Sequence, residues 1–271
     1  MDDRSTRIRR ALVQQLESLQ AAGVGQVPRP LAAEAASPSA PERAPAAAPD
    51  TKAAPEPSRA PETTATPKAA AATPAGRTLT AKQASALLDE VRVEVAACRL
   101  CEELACSRKQ TVFGVGNPAP RLCFFGEAPG ADEDRQGEPF VGPAGQLLND
   151  IIHKAMGLRR EDVYILNTLK CRPPGNRNPE PRELENCRPF FERQLEILQP
   201  EFICCLGAIA ARTLLDTDVS VGRLRGRFHQ YNDAQVVVTY HPAYLLRTPE
   251  AKKKTWEDIK LLMGQMGLKV K

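Results

Sequence analysis

The first 97 residues contain no cysteine, phenylalanine, tyrosine or tryptophan. The 8 Phe, 4 Tyr and 1 Trp all lie at or after Phe113, and the 8 cysteines at or after Cys98. A segment without these residues has little with which to build a core. The N-terminal part is therefore not expected to fold as a globular domain. The roughly 190 residues that remain are enough for one domain with a proper core. No run of 18 apolar residues occurs, so no transmembrane helix and no membrane partner are expected. The opening Met1-Asp2-Asp3 lacks the basic-then-apolar order of a secretory signal. The expected location is cytoplasmic, where thiols stay reduced. The net charge of +4 is too mild to announce nucleic acid by itself, so any such contact must come from a local patch.

Three regions follow. Residues 1–22 carry a short helical pattern, with Ile8, Leu12, Val13, Leu16 and Leu19 on one face. Such a helix is marginal alone, and its apolar face suits a protein partner. Residues 23–79 form an Ala/Pro-rich linker. Its stretch 31–76 holds 18 Ala and 9 Pro, and prolines at that density forbid a continuous helix. It is expected to be a disordered tether reaching about 40 Å or more. Residues 80–271 form the folded domain.

Within that domain, strands are expected at 121–126, 162–168, 201–206 and 235–240. Helices are expected at 80–101, 145–156, 181–198, 207–215 and 249–266, with Pro181 suited to a first turn. Strands alternating with helices, without polar alternation along the strands, predict an α/β fold. Its core is a central four-stranded parallel sheet flanked by helices.

In open α/β sheets ligands sit beyond the carboxyl ends of the strands. The first strand runs into Glu127, the second ends at Asn167 and the fourth runs into His241. Each alone has an ordinary explanation as a cap, a turn former or a core hydrogen bonder. Three at equivalent positions point to one site. The loop GEAPGADEDRQGEPFVGPAG, residues 126–145, combines glycines that allow close backbone approach with an isolated Phe140. That ring is either a small local core or a platform for a flat ligand. Neither a complete G-x-G-x-x-G, nor a G-x-x-x-x-G-K, nor a G-x-S-x-G occurs.

Cys123, Cys204 and Cys205 sit in apolar strands and read as core residues. Cys98 and Cys101 form C-x2-C, and Cys171 and Cys187 are separated by 15 residues. Four such thiolates suit zinc or an iron–sulfur cluster, and spacing leaves that choice open. Cys106 could be a stray or a substitute ligand, but is more simply neither. Lys170, Arg172 and Arg177 in KCRPPGNRNPEP, together with Arg247, could track a phosphate backbone beside an aromatic platform.

Together these blocks resemble the family 4 uracil-DNA glycosylases, the iron–sulfur branch of that superfamily. The resemblance runs from about residue 88 to 266. It rests on the C-x2-C, on GEAPGADEDRQGEPFVGPAGQLL, on LNTLKCRPPGNRNPEPRELENC and on YHPAYLLR. It implies a uracil-DNA glycosylase-like fold and a monofunctional glycosylase. Such an enzyme cleaves the N-glycosidic bond of uracil in single- or double-stranded DNA, leaving an abasic site for base excision repair. It implies a 4Fe-4S cluster on Cys98, Cys101, Cys171 and Cys187 that is structural. Phe140 would stack on the flipped uracil. Asn167 would read its edge at N3 and O4, and His241 would hydrogen-bond O2. Glu127, Ala128 and Glu133 would shape the pocket and position water, with Glu127 and Glu133 the candidate catalytic carboxylates for activating it. Some related families place an Asp base where this chain has Ala128. Leu245 and Leu246 would push into the DNA stack. Uracil-containing DNA is the implied partner and a monomer the implied state. Two other classes compete. One is a covalent uracil-DNA binding module acting through a histidine after the second strand, but residues 168–181 contain none. The other is an iron–sulfur electron carrier, which would leave Glu127, Asn167, His241 and Phe140 idle.

Overall fold

A computed structural model describes residues 78–269. The expected N-terminal helix lies outside the described residues, as does the linker apart from Thr78 and Leu79. Helix α1 (Ala81–Ala97) starts at Thr80, whose side chain accepts from the Gln83 N–H in a capping box. Short α2 (Glu102–Ser107) follows. Then come β1 (Val115–Gly116), β2 (Leu122–Gly126), α3 (Ala131–Gln136) and α4 (Pro143–Asp150), the last running into a π-helical turn at Ile151–Ala155. Next are β3 (Tyr164–Asn167), α5 (Pro181–Leu198), β4 (Phe202–Leu206), α6 (Ala208–Leu215) and α7 (Val221–Leu224). The chain closes with β5 (Phe228–Tyr231), β6 (Ala234–Thr239), α8 (Pro242–Arg247) and α9 (Ala251–Met266).

The sheet has six strands in the order β1-β3-β2-β4-β6-β5. The central four are parallel, as expected from their apolar runs. Two antiparallel edge strands, β1 and β5, are additions that the sequence did not reveal. β1 has only two residues, and β5 (FHQY) is half exposed, so neither carries an apolar run. Alternate residues of each central strand feed opposite cores. Cys123 and Phe125 of β2 join one, with Leu88, Phe191 and Leu214 of α1, α5 and α6. Leu122 and Phe124 join the other, with Leu148 of α4 and Ile259 and Leu262 of α9. Both sheet faces are thereby covered, as a parallel sheet requires.

The expected helix at 80–101 ends at Ala97, because Cys98 takes extended backbone angles (φ −63°, ψ 135°). The two cysteines of the C-x2-C therefore lie off the helix, in the link to α2. Register sets the site: Gly126 pairs with Asn167, and Leu206 with Thr239. The carboxyl ends of β2, β3 and β6 thus reach one rim of the sheet. Among the described residues no helix is long and apolar enough to cross a membrane.

Candidate active site

A cleft of about 380 Å³ opens at that rim, a volume suited to a small flat ligand. Glu127, Ala128, Glu133, Phe140, Asn167 and His241 all line it. Glu127, Asn167 and His241, expected from the strand ends to converge, lie on this one cleft.

The loop after β2 is held in an unusual shape. Phe140 has φ 55°, a left-handed conformation costing a bulky residue about 1–2 kcal/mol. Glu133 braces its far side: Oε1 accepts from the Val141 and Gly142 N–H groups at 2.9 and 3.0 Å, and Oε2 from the Gly130 N–H at 3.1 Å. Gly145 makes room beneath, since a Cβ there would lie 1.9 Å from the Phe140 carbonyl oxygen. Gly126 makes room at the strand end. A Cβ on it would lie 2.2 Å from Asn167 Oδ1 and 2.7 Å from the Phe140 ring. Asn167 and the Phe140 ring can both approach the strand end because position 126 has no side chain.

Asn167 is only 2 % exposed, and its Oδ1 has no hydrogen-bond partner. An unpaired buried oxygen of this kind costs free energy until a donor arrives. Opposite it, His241 begins α8. Its Nδ1 accepts from the Ala243 N–H at 3.1 Å, which assigns the remaining ring proton to Nε2. Burial, with Arg247 nearby, pushes the imidazole down to about 4, so the ring is neutral at physiological pH. The Phe140 and His241 rings lie 5.5 Å apart at 33°. Burial pushes the Glu127 carboxyl above its ordinary range. The cleft thus offers an unsatisfied acceptor, a neutral N–H donor, an aromatic face and a carboxylate.

The model of the uracil DNA glycosylase superfamily matches residues 113–260. The chain belongs to that superfamily. A type-4 uracil-DNA glycosylase of Archaeoglobus fulgidus is 42% identical over 190 residues, covering 67% of this chain and 94% of the relative. The type-4 uracil-DNA glycosylase of Thermotoga maritima is 42% identical over 177 residues, covering 64% and 91%. A type-5 uracil-DNA glycosylase of Thermus thermophilus is 34% identical over 149 residues, covering 44% and 68%.

Against this uracil-DNA glycosylase frame, several expected DNA contacts need correction. Lys170 is 1 % exposed and points inward, donating from Nζ to the Asn167 carbonyl oxygen at 2.8 Å. It cannot reach a phosphate, and it supports the backbone of Asn167 instead. Burial pushes its ammonium down to about 7. Leu245 is also buried, at 1 %, whereas Leu246 is 45 % exposed. Only Leu246 of that pair stands free to enter a base stack. Arg177 lines the cleft, but its guanidinium binds Glu183 at 2.6 and 2.9 Å and Glu103 at 2.7 Å. Its charge is spent inside the protein. Arg172 donates to Asn176 Oδ1 on the cleft wall, and Arg247 is exposed at the cleft mouth. Tyr244, Asn176 and Asn178 also line the cleft. Sequence reading missed these three, although Tyr244 stands in the YHPAY block and the two asparagines in the Pro-rich loop.

The four cysteines gather beside the cleft. Cys101, Cys171 and Cys187 pack with Leu104, Leu169, Leu184 and Ala128 in a separate small core. Arg108 joins Cys98 to this group, donating to the Cys98 carbonyl oxygen and to Cys171 Sγ, each at 2.8 Å. Asn186 Nδ2 donates to Cys101 Sγ at 3.3 Å. Burial raises the Cys171 thiol and pushes Cys187 up to about 12. Apolar walls with N–H donors aimed at sulfur fit a thiolate-bound cofactor. Arg108 and Asn186 were not singled out from sequence, because neither belongs to a spacing motif.

Proposed function

We propose that the chain is a monofunctional uracil-DNA glycosylase that hydrolyses the N-glycosidic bond of uracil in DNA and leaves an abasic site for base excision repair. The unpaired Oδ1 of Asn167, in a cleft also lined by the Phe140 ring and a neutral His241, carries this reading. A base must leave the duplex before such a pocket can hold it. Phe140 then stacks on its face. Asn167 Oδ1 accepts the N3–H of uracil, and Nδ2 donates to O4. Cytosine has no proton on N3, so it would leave Oδ1 unpaired against a second acceptor, and such a mismatch rejects an analogue strongly.

In the reaction the N1–C1′ bond breaks, its electron pair staying on the uracil ring and spreading to O2. The His241 Nε2–H donates to that oxygen as charge develops. A donor of this kind contributes about 2.7–4 kcal/mol to the transition state. Water forms the new bond to C1′ and its proton passes to Glu127 or solvent. Glu127 orients this water and faces the developing sugar cation. Both oxygens of Glu133 are occupied by the loop, so its part is to hold the slot. Arg172, Arg247 and Leu246 face the DNA.

Cys98, Cys101, Cys171 and Cys187 would hold a 4Fe-4S cluster. The N–H groups of Arg108 and Asn186 aimed at Cys171 and Cys101 sulfur, within an apolar cluster, support this set. When bound, the cluster supplies a structural cross-link. Thiolates of this kind require a reducing compartment, which supports action in the cytoplasm. Protein purified without oxygen should be brown with broad visible absorbance. Colourless protein with stoichiometric zinc would overturn the cluster.

The deciding experiment is alkali-induced cleavage of a labelled oligonucleotide carrying one uracil. Cleavage at the uracil, absent with cytosine and absent without alkali, is the expected result. A slow-migrating species that survives denaturation, with no cleavage, would establish covalent trapping instead.

A further inference from the structure

We propose that Arg160 is a positioning residue for base stacking: its guanidinium clamps the peptide that holds Phe140 in the cleft. The inference rests on the stacking role of Phe140 given above.

Phe140 sits at φ 55°, a conformation that a phenylalanine does not keep unaided. Its C-terminal side is held by Glu133 through the Val141 and Gly142 N–H groups. Its N-terminal side is the Pro139–Phe140 peptide. Pro139 has a fixed φ, and this peptide is gripped at its carbonyl. Arg160 grips it: Nη2 donates to the Pro139 carbonyl oxygen at 2.6 Å. The other arm of the fork, Nη1, donates to Asn149 Oδ1 on α4 at 2.8 Å. One planar group thus ties the stacking loop to the helix that follows it.

The way Arg160 is used singles it out. The adjacent Arg159 is exposed and paired with Glu161 and Asp162. Arg160 is half-buried, and among the described residues its hydrogen bonds go to two neutral oxygens. Glu138 and Glu133 act on this cation only through their charge, while burial disfavours it, so its two hydrogen bonds are spent on orienting one peptide rather than on a carboxylate. A lysine could not span both acceptors, because it lacks the fork.

The test is a double-mutant cycle on single-turnover uracil release with wild-type protein, Arg160→Ala, Phe140→Ala and the double variant. Arg160→Ala should slow release by about 10- to 100-fold, the cost of a small misplacement of a reacting group, with DNA binding nearly unchanged. In the Phe140→Ala background the same change should do almost nothing, because the clamp acts through that ring. Factors that multiply in the double variant, or wild-type release by Arg160→Ala, would overturn the proposal. Should Arg160→Ala fail to fold, Asn149→Ala removes one anchor of the fork and runs in the same cycle. Amide hydrogen exchange gives a readout independent of catalysis: the Val141 and Gly142 amides should exchange faster in Arg160→Ala. Unchanged exchange would count against the clamp even if the wild-type protein released no uracil. Wild-type inactivity with faster exchange in the variant would instead sink the glycosylase reading and leave the clamp standing.

Discussion

At the scale of single residues, two titratable groups share the cleft with opposite behaviour. Burial lowers His241 to about 4 and raises Glu127 above the usual carboxylate range. The imidazole therefore keeps one protonation state across neutral and mildly acidic pH, while the carboxylate gains a proton sooner than an exposed one. In the proposed mechanism Glu127 acts as a carboxylate, so release should fall as pH drops through its raised pKa. His241→Ala should lower the rate by about 10²–10³-fold and leave this acid limb in place. Glu127→Gln should remove the limb and flatten the profile. A limb that survives in Glu127→Gln, measured by single-turnover rates from pH 4.5 to 8, would transfer the role to another group. Glu127, Asn167 and His241 were legible in the sequence because strand ends in a parallel sheet collect on one rim, and Phe140 because it stands as an isolated aromatic in a Gly/Pro-rich loop. Lys170 misled because a positive charge in a polar loop reads as exposed, and nothing local shows that its Nζ meets the Asn167 carbonyl. Leu245 and Leu246 differ by one position, which only the rotation of α8 decides.

At the scale of elements, the slot is a property of register. β2 and β3 are paired so that Gly126 lies against Asn167, and a one-residue slip would turn the Asn167 side chain to the opposite face. The glycine then sets the width. Gly126→Ala would put a methyl group against the Asn167 amide and the Phe140 ring. We expect uracil release to fall by about 100-fold or more, since a misplacement near 1 Å has that cost. Thermal unfolding and far-UV circular dichroism should show the sheet retained. Release within a few-fold of wild type would mean that the two side chains can yield. The central strands were readable from runs such as LCFFG and FICCL, whose residues are buried on both faces. The edge strands were not. Their pairing is decided by partners across the sheet, β3 and β6, and not by their own composition.

At the scale of the whole molecule, the cysteine centre stands beside the sheet. Cys98 and Cys101 precede the stretch matched by the superfamily model, which begins at residue 113. The centre joins the α1–α2 link, the segment after β3 and α5. Arg177 carries that junction to the cleft wall through Glu103 and Glu183. Loss of the centre should therefore loosen the wall around residues 173–178 before it unfolds the sheet. Cys187→Ala is expected to expose that segment to limited proteolysis and to cut uracil release sharply, while most far-UV circular dichroism remains. Cooperative loss of the whole fold would show instead that the sheet depends on the centre.

The unpaired oxygen of Asn167 has one more consequence. It asks only for the N3–H of a base held flat against Phe140, and that N–H is the same whether the base is still joined to deoxyribose or already cut free. Released uracil is therefore a competitor for the slot, and its departure is a step of the catalytic cycle in its own right. Turnover should slow as free uracil accumulates, and free cytosine, which lacks that proton, should leave the rate alone.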